Sequence, residues 1–212
     1  MKPVGPSRRR LLVAADAVGY GRWHDYQQLA IQRHMIDILD YAAAMSKLRR
    51  GTWERQAVGD GELAVLPEDE PEHIVVDTFI RQVDVALARH NTLLLPEARL
   101  RLRFAVHFGR IMPGDNGYAG PGPVEVSRML NSAPLRRAIA EIPEANLALM
   151  VSGNIFKDTI EPLHTTLRPA EFYRVHVMEK EFEADAWLWI PGLPYLTASG
   201  IEDIAQLPQG QD

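Results

Sequence analysis

Two aspartates stand where strand-like runs give out. Asp16 ends the apolar run Leu11-Leu-Val-Ala-Ala, and Asp60 sits in Gly59-Asp60-Gly61 between two short runs of strand character. A carboxylate at the end of an apolar strand is costly unless it is paired or coordinated. Two carboxylates projecting from adjacent strands can hold two hard divalent cations, which in turn grip a triphosphate. Asp60 alone has an ordinary explanation, because Asp-Gly is a common hairpin turn that needs positive φ. Asp16 has none. Directly after it, Ala17-Val18-Gly19-Tyr20-Gly21 makes a glycine-flexed turn into a helix, whose backbone N–H groups suit a phosphate cradle.

Other chemically capable residues carry less. The seven histidines have no zinc-ligand spacing, and with no cysteine both disulfides and thiolate metal sites are excluded. His107 reads as a packed strand histidine, and Ser127 and Ser152 have no base that the sequence reveals. Trp187 and Trp189 alternate with Ala186 and Leu188 as sheet packing does. Arg99, Arg101 and Arg103 fall on one strand face, where a solvated or dimer-facing role is expected.

The elements that must position the aspartates follow from hydrophobic period and turn chemistry. Residues 10–15 form a buried strand, and 23–50 a long helix closed by Gly51. Residues 52–58 and 62–66 form a hairpin around Asp60. A second helix opens at Pro71 and reaches about Leu95. Leu100, Leu102, Phe104 and Val106 alternate with Arg101, Arg103, Ala105 and His107 as a strand with one polar face. A Gly/Pro-rich loop over 109–123 precedes a helix over 124–140, a strand over 147–152, a short helix over 155–160 and a strand pair, 173–177 with 184–190. This order predicts an α/β (α+β) domain with a mixed, largely antiparallel sheet of about seven strands and helices packed on one face. The domain covers residues 1–190, and 191–212 form an irregular tail.

The 212 residues suit one domain, with 46% hydrophobic and 24% charged residues as in soluble proteins. A net charge of −5 argues against a general nucleic-acid binder. The Arg8-Arg9-Arg10 run before Leu11 mimics a signal peptide, but Asp16 ends the apolar run after five residues, short of the roughly 7–15 of an h-region. No stretch approaches the ~18 apolar residues of a membrane span. A cytoplasmic protein with no membrane partner is expected.

In order along the chain, five segments resemble class III adenylyl and guanylyl cyclases. Leu11-Leu-Val-Ala-Ala-Asp16-Ala-Val-Gly-Tyr-Gly resembles their first metal-binding strand, and Gln56-Ala-Val-Gly-Asp60-Gly their second metal motif. Arg103-Phe-Ala-Val-His107-Phe-Gly109-Arg110 resembles the strand ending in their His-x-Gly signature. Gly120 with Val126-Ser127-Arg128-Met129-Leu130 resembles the dimerisation arm and following helix, and Leu149-Met-Val-Ser152 the next strand. The overall character resembles the short, stand-alone bacterial members.

The resemblance implies a ferredoxin-like, palm-type fold. It also implies a lyase that turns a nucleoside triphosphate into a 3′,5′-cyclic monophosphate and pyrophosphate, with two Mg²⁺ or Mn²⁺ per site and a head-to-tail homodimer. Asp16 and Asp60 match the metal ligands and Arg128 the transition-state arginine. Ala17, Val18, Gly19, Tyr20 and Arg110 match nucleotide-binding positions, and Gln56 the base-selecting one. The departures are as specific. Gln56 stands where adenylyl cyclases have lysine, and its usual partner falls near Gly117-Tyr118. Val124 replaces the transition-state asparagine, with Glu125 beside it, and Met178 the late phosphate-binding lysine, with Lys180 two residues on.

Two readings follow. In one, a cyclase works on a different base, UTP or CTP, making cUMP or cCMP for signalling such as antiphage defence. In the other, an inactive cyclase-like domain binds nucleotide or protein. Retention of two desolvated aspartates favours the active enzyme.

Overall fold

The computed structural model describes residues 7–115 and 117–192. The expected irregular tail lies largely outside them. The apolar run becomes β1 (Arg8–Ala17), which pairs antiparallel on both sides, with β3 (Gly61–Val65) and with β4 (Leu102–Gly114). A strand hydrogen-bonded on both edges alternates its side chains between two faces, and both are buried here. Leu11, Val13, Ala15 and Ala17 enter one core, Leu12 and Ala14 the other.

The sheet runs β2-β3-β1-β4-β6-β8-β7, with β2 spanning Glu54–Val58, β6 Leu147–Ser152, β7 Tyr173–Glu179 and β8 Phe182–Trp189. All pairs on this path are antiparallel except β4 with β6. An eighth strand, β5 (Gly117–Ala119), folds back on the end of β4. The mixed, largely antiparallel α+β sheet is therefore as expected, with β5 added to the seven strands of the main path.

Helices cover both faces rather than one. Against the first core lie α1 (Asp25–Met45) and a continuous helical run made of α2 (Glu72–Ile74), a π-helical turn (Val75–Phe79) and α3 (Ile80–Asn91). On the same face, the short α6 (Gly153–Ile155) runs into a second π-turn, Phe156–Ile160. Against the second core lie α4 (Pro121–Asn131) and α5 (Ala133–Glu141). A strand buried on both faces needs a cover on each, which is why one layer of helices does not suffice.

Two more expectations are corrected. The predicted loop over 109–123 is mostly the β4–β5 hairpin and the first turn of α4, whose Pro121 and Pro123 suit positions that need no intrahelical donor. The predicted single helix over 124–140 is two. Pro134 has no N–H to give to the Leu130 carbonyl, so one continuous helix cannot pass through it, and extended Ser132 (φ −64°, ψ 147°) separates α4 from α5. Among the described residues no helix is long and apolar enough to cross a membrane.

Candidate active site

The second core's face carries the site. Asp16 is the penultimate residue of β1, and its register partners are Gly61 on β3 and Arg103 on β4. The tight connection between β2 and β3 consists of Gly59 and Asp60, with Val58 paired to Gly61. The glycine that takes positive φ is thus Gly59 (φ 61°). Gly61 is needed for a different reason: a Cβ there would fall 2.3 Å from the Ala15 carbonyl oxygen and 2.9 Å from the Asp16 Cβ. Only a residue without a side chain lets the hairpin close on the end of β1.

As a result Asp16 and Asp60 line one cavity of about 160 Å³, walled by Ala14 and Leu63 from the sheet and Leu130 from α4. Its remaining polar lining is Glu62, Ser127 and Asn131. On the far side of the hairpin, buried Arg50 makes a bidentate pair with Glu62 (2.6 and 2.9 Å) and reaches Asp40 of α1 at 2.7 Å. This fork ties the strand that follows Asp60 to α1.

Arg103 is the residue that sequence reasoning missed. Its side chain is 13% exposed, neither solvated nor free to face a partner. Its Nε donates to Asp16 Oδ1 at 2.9 Å and its Nη2 to Oδ2 at 2.5 Å. Its neighbour in the basic run, Arg101, lies on the same face but donates to the Ile142 and Ala145 carbonyls just past α5. Alternation placed the arginines on one polar face, but the strand that faces them is a matter of register, which local spacing does not carry.

Burial pushes the Asp16 carboxyl up to about 6, with Arg103 opposing the rise and the charge of Asp60 adding to it. A carboxylate that resists ionisation beside a second carboxylate is relieved by a cation, and the pair fits hard divalent ions. Among the described residues no group of three or more His, Cys, Asp or Glu side chains gathers to hold a metal. Two carboxylates alone suit Mg²⁺ or Mn²⁺, which keep waters and take further oxygens from a phosphate substrate.

The other predicted residues fall as follows. Ala17 ends β1, and the Val18 N–H is already given to the Arg101 carbonyl at 2.9 Å. Gly19 is left-handed (φ 72°) and leads into a 3₁₀ turn at Tyr20–Arg22. The N–H groups after Val18 therefore supply any phosphate cradle. Gln56 lies on β2 with its side chain against the β4–β5 hairpin: a Cβ on Gly117 (φ 95°) would sit 1.4 Å from Gln56 Nε2. Beside it, burial and a hydrogen bond with Glu54 push the Tyr118 hydroxyl up to about 12. The positions matched to the base-selecting pair are thus in contact within one chain.

Arg128, on α4, pairs with Glu181 at the β7–β8 turn (3.0 Å). Ser127 and Asn131, on the same helix, line the carboxylate cavity. Arg110 is far from Asp16. It is the register partner of Arg9, seven residues along β1, or about 23 Å at strand rise. Val124 is 44% exposed on α4 and Met178 47% exposed on β7.

No protein-family model matches the chain, and no curated protein does. Solved structures do. An adenylate/guanylate cyclase/hydrolase from Silicibacter pomeroyi aligns over 88% of this chain and 98% of its own, with a TM-score of 0.62 at 18% identity. The guanylyl cyclase Cya2 aligns over 88% and 93%, with a TM-score of 0.60 at 10% identity. The guanylate cyclase domain of RhGC from Catenaria anguillulae, in complex with GTP, aligns over 88% and 98%, with a TM-score of 0.55 at 13% identity. The chain has the fold of adenylyl and guanylyl cyclase domains, the fold that its motifs imply.

Proposed function

We propose that this protein is a nucleotidyl cyclase that converts a nucleoside triphosphate into a 3′,5′-cyclic monophosphate and pyrophosphate. The observation that carries this reading is the shared cavity of Asp16 and Asp60, closed by the hairpin at Gly61 and with Asp16 held by Arg103, on the fold of cyclase domains. Bound Mg²⁺ or Mn²⁺ would supply acidity to the ribose 3′-hydroxyl and charge neutralisation to the triphosphate.

The chain's own residues do the rest. Asp16 and Asp60 would hold the cations. Arg103, through its fork to Asp16, sets fixed positive charge beside the carboxylate that faces the cavity. The backbone of the Gly19-Tyr20 turn is a second phosphate contact.

One residue supports a head-to-tail homodimer as the working unit. Within one chain Arg128 is drawn away to Glu181. The partner subunit's Arg128 would then complete the charge stabilisation. With Gln56 in place of the adenylyl cyclase lysine and Gly117-Tyr118 at its partner's position, both purine readers are absent, and the Gln56 amide, donor and acceptor at once, can read uracil or cytosine; UTP or CTP is the proposed substrate and cUMP or cCMP the product. A signalling role in the cytoplasm, such as antiphage defence, follows from such a product.

The test is incubation with each of the four triphosphates and Mn²⁺, with cyclic products read by mass spectrometry, for the wild type and Asp60→Ala. Product from the wild type alone is expected. Product from both would refute the metal assignment. Product from neither would favour an inactive nucleotide-binding module, a reading that rests on Val124, an exposed apolar side chain where the transition state needs an amide.

A further inference from the structure

At the opposite end of β1 and β4 from Asp16, a second cleft of about 450 Å³ opens beside the start of α4. That volume is in the range of small-ligand sites, about 300–1,000 Å³. Its polar lining is donor-rich: Arg9, Arg110, Asn154 and His107, against the single carboxylate of Glu125.

Arg9 and Arg110 are direct cross-strand partners, and like charges opposite one another repel. Arg9 lies over the Phe108 ring (4.8 Å), and its Nη2 reaches the Phe108 carbonyl at 3.3 Å; Asn154 Nδ2 reaches the same oxygen at 3.4 Å. These are long contacts that leave most donor capacity unused.

His107 is 6% exposed. Its Nε2 stands 2.8 Å from Glu125 Oε2, at an angle outside hydrogen-bond geometry, and among the described residues Nδ1 has no partner. The buried imidazole thus faces Glu125 and forms the floor of the cleft, leaving Arg9, Arg110 and Asn154 as its open donors. Pro121 and Pro123 remove two of the first N–H groups of α4, so the side chains, not the helix end, set the preference.

We propose that this cleft is a second ligand site, separate from the carboxylate cavity, and that it binds a phosphate-class oxyanion through Arg9, Arg110 and Asn154. Two arginines on directly paired strand positions can both donate to oxygens of one tetrahedral anion, and the anion cancels their repulsion. The site does not depend on the cyclase reading.

The experiment is calorimetric titration of the metal-free protein with inorganic phosphate and, in a parallel arm, with a nucleoside monophosphate. Wild type, Asp16→Asn and the double variant Arg9→Ala/Arg110→Ala are compared. Expected is binding by the wild type and by Asp16→Asn, weakened about tenfold or more in the double variant for both ligands. The tighter of the two ligands identifies the source, free phosphate or nucleotide. Both arginines are on the surface, and an unchanged melting temperature of the double variant separates lost binding from lost folding. Equal weakening by Asp16→Asn, wild-type binding by the double variant, or no binding of either ligand up to about 10 mM (about 2.7 kcal/mol at 25 °C) would each overturn the proposal.

Discussion

Removing Arg103 isolates the electrostatics of the site. Asp16 and Arg103 have side chains only 11% and 13% exposed, and the arginine forks onto both carboxylate oxygens. Arg103→Ala leaves a buried carboxylate beside Asp60, a loss of about 3 kcal/mol in measured cases of broken buried pairs. For a domain of this size that is a fall in Tm of about 6–12 °C. The sign of the pH dependence separates this cause from lost packing. With its pKa raised from 3.8 to about 6, Asp16 holds its proton longer in the folded than in the unfolded chain. Its contribution to stability therefore falls as pH rises from about 4 to about 6. Loss of Arg103 raises the folded value further, and each added unit widens the gap between wild type and variant by about 1.4 kcal/mol above that range. The gap in Tm should be small at pH 5 and clearly larger at pH 7.5, measured by thermal unfolding without divalent cations. Asp16→Asn added to Arg103→Ala should recover part of the loss at pH 7.5 only, through coupling of the pair. An equal loss at both pH values, or a fall below 2 °C at pH 7.5, would refute the argument.

Two further outcomes are expected. Gly117→Ala must adopt φ near +95° and displace the Gln56 amide, so it should lose about 1–3 kcal/mol of stability in denaturant melts and change the order of preference among triphosphates. Arg128→Ala should leave Tm nearly unchanged, because Glu181 is exposed, while cyclase turnover falls about a hundredfold or more in a product assay.

The residues that act locally were readable from the chain. The apolar run ending at Asp16 and the Gly59-Asp60-Gly61 turn identified β1 and the β2–β3 hairpin, because strand burial and turn chemistry are set by neighbours within a few residues. Leu147–Ser152 came out with its observed bounds for the same reason, an apolar run stopped on both sides. The break at Ser132 was also local, since Pro134 announces it. What only the tertiary structure decided is what meets across strands and layers. The register of β1 against β4 put Arg103 on Asp16 and sent Arg110 to the far end of the sheet, and a shift of one residue would have reversed every face. The second helical layer, the contact of Gln56 with Gly117 and the cleft around His107 likewise join segments far apart in sequence. Their pairing is settled by the packing of the whole domain, and no window of the sequence contains it.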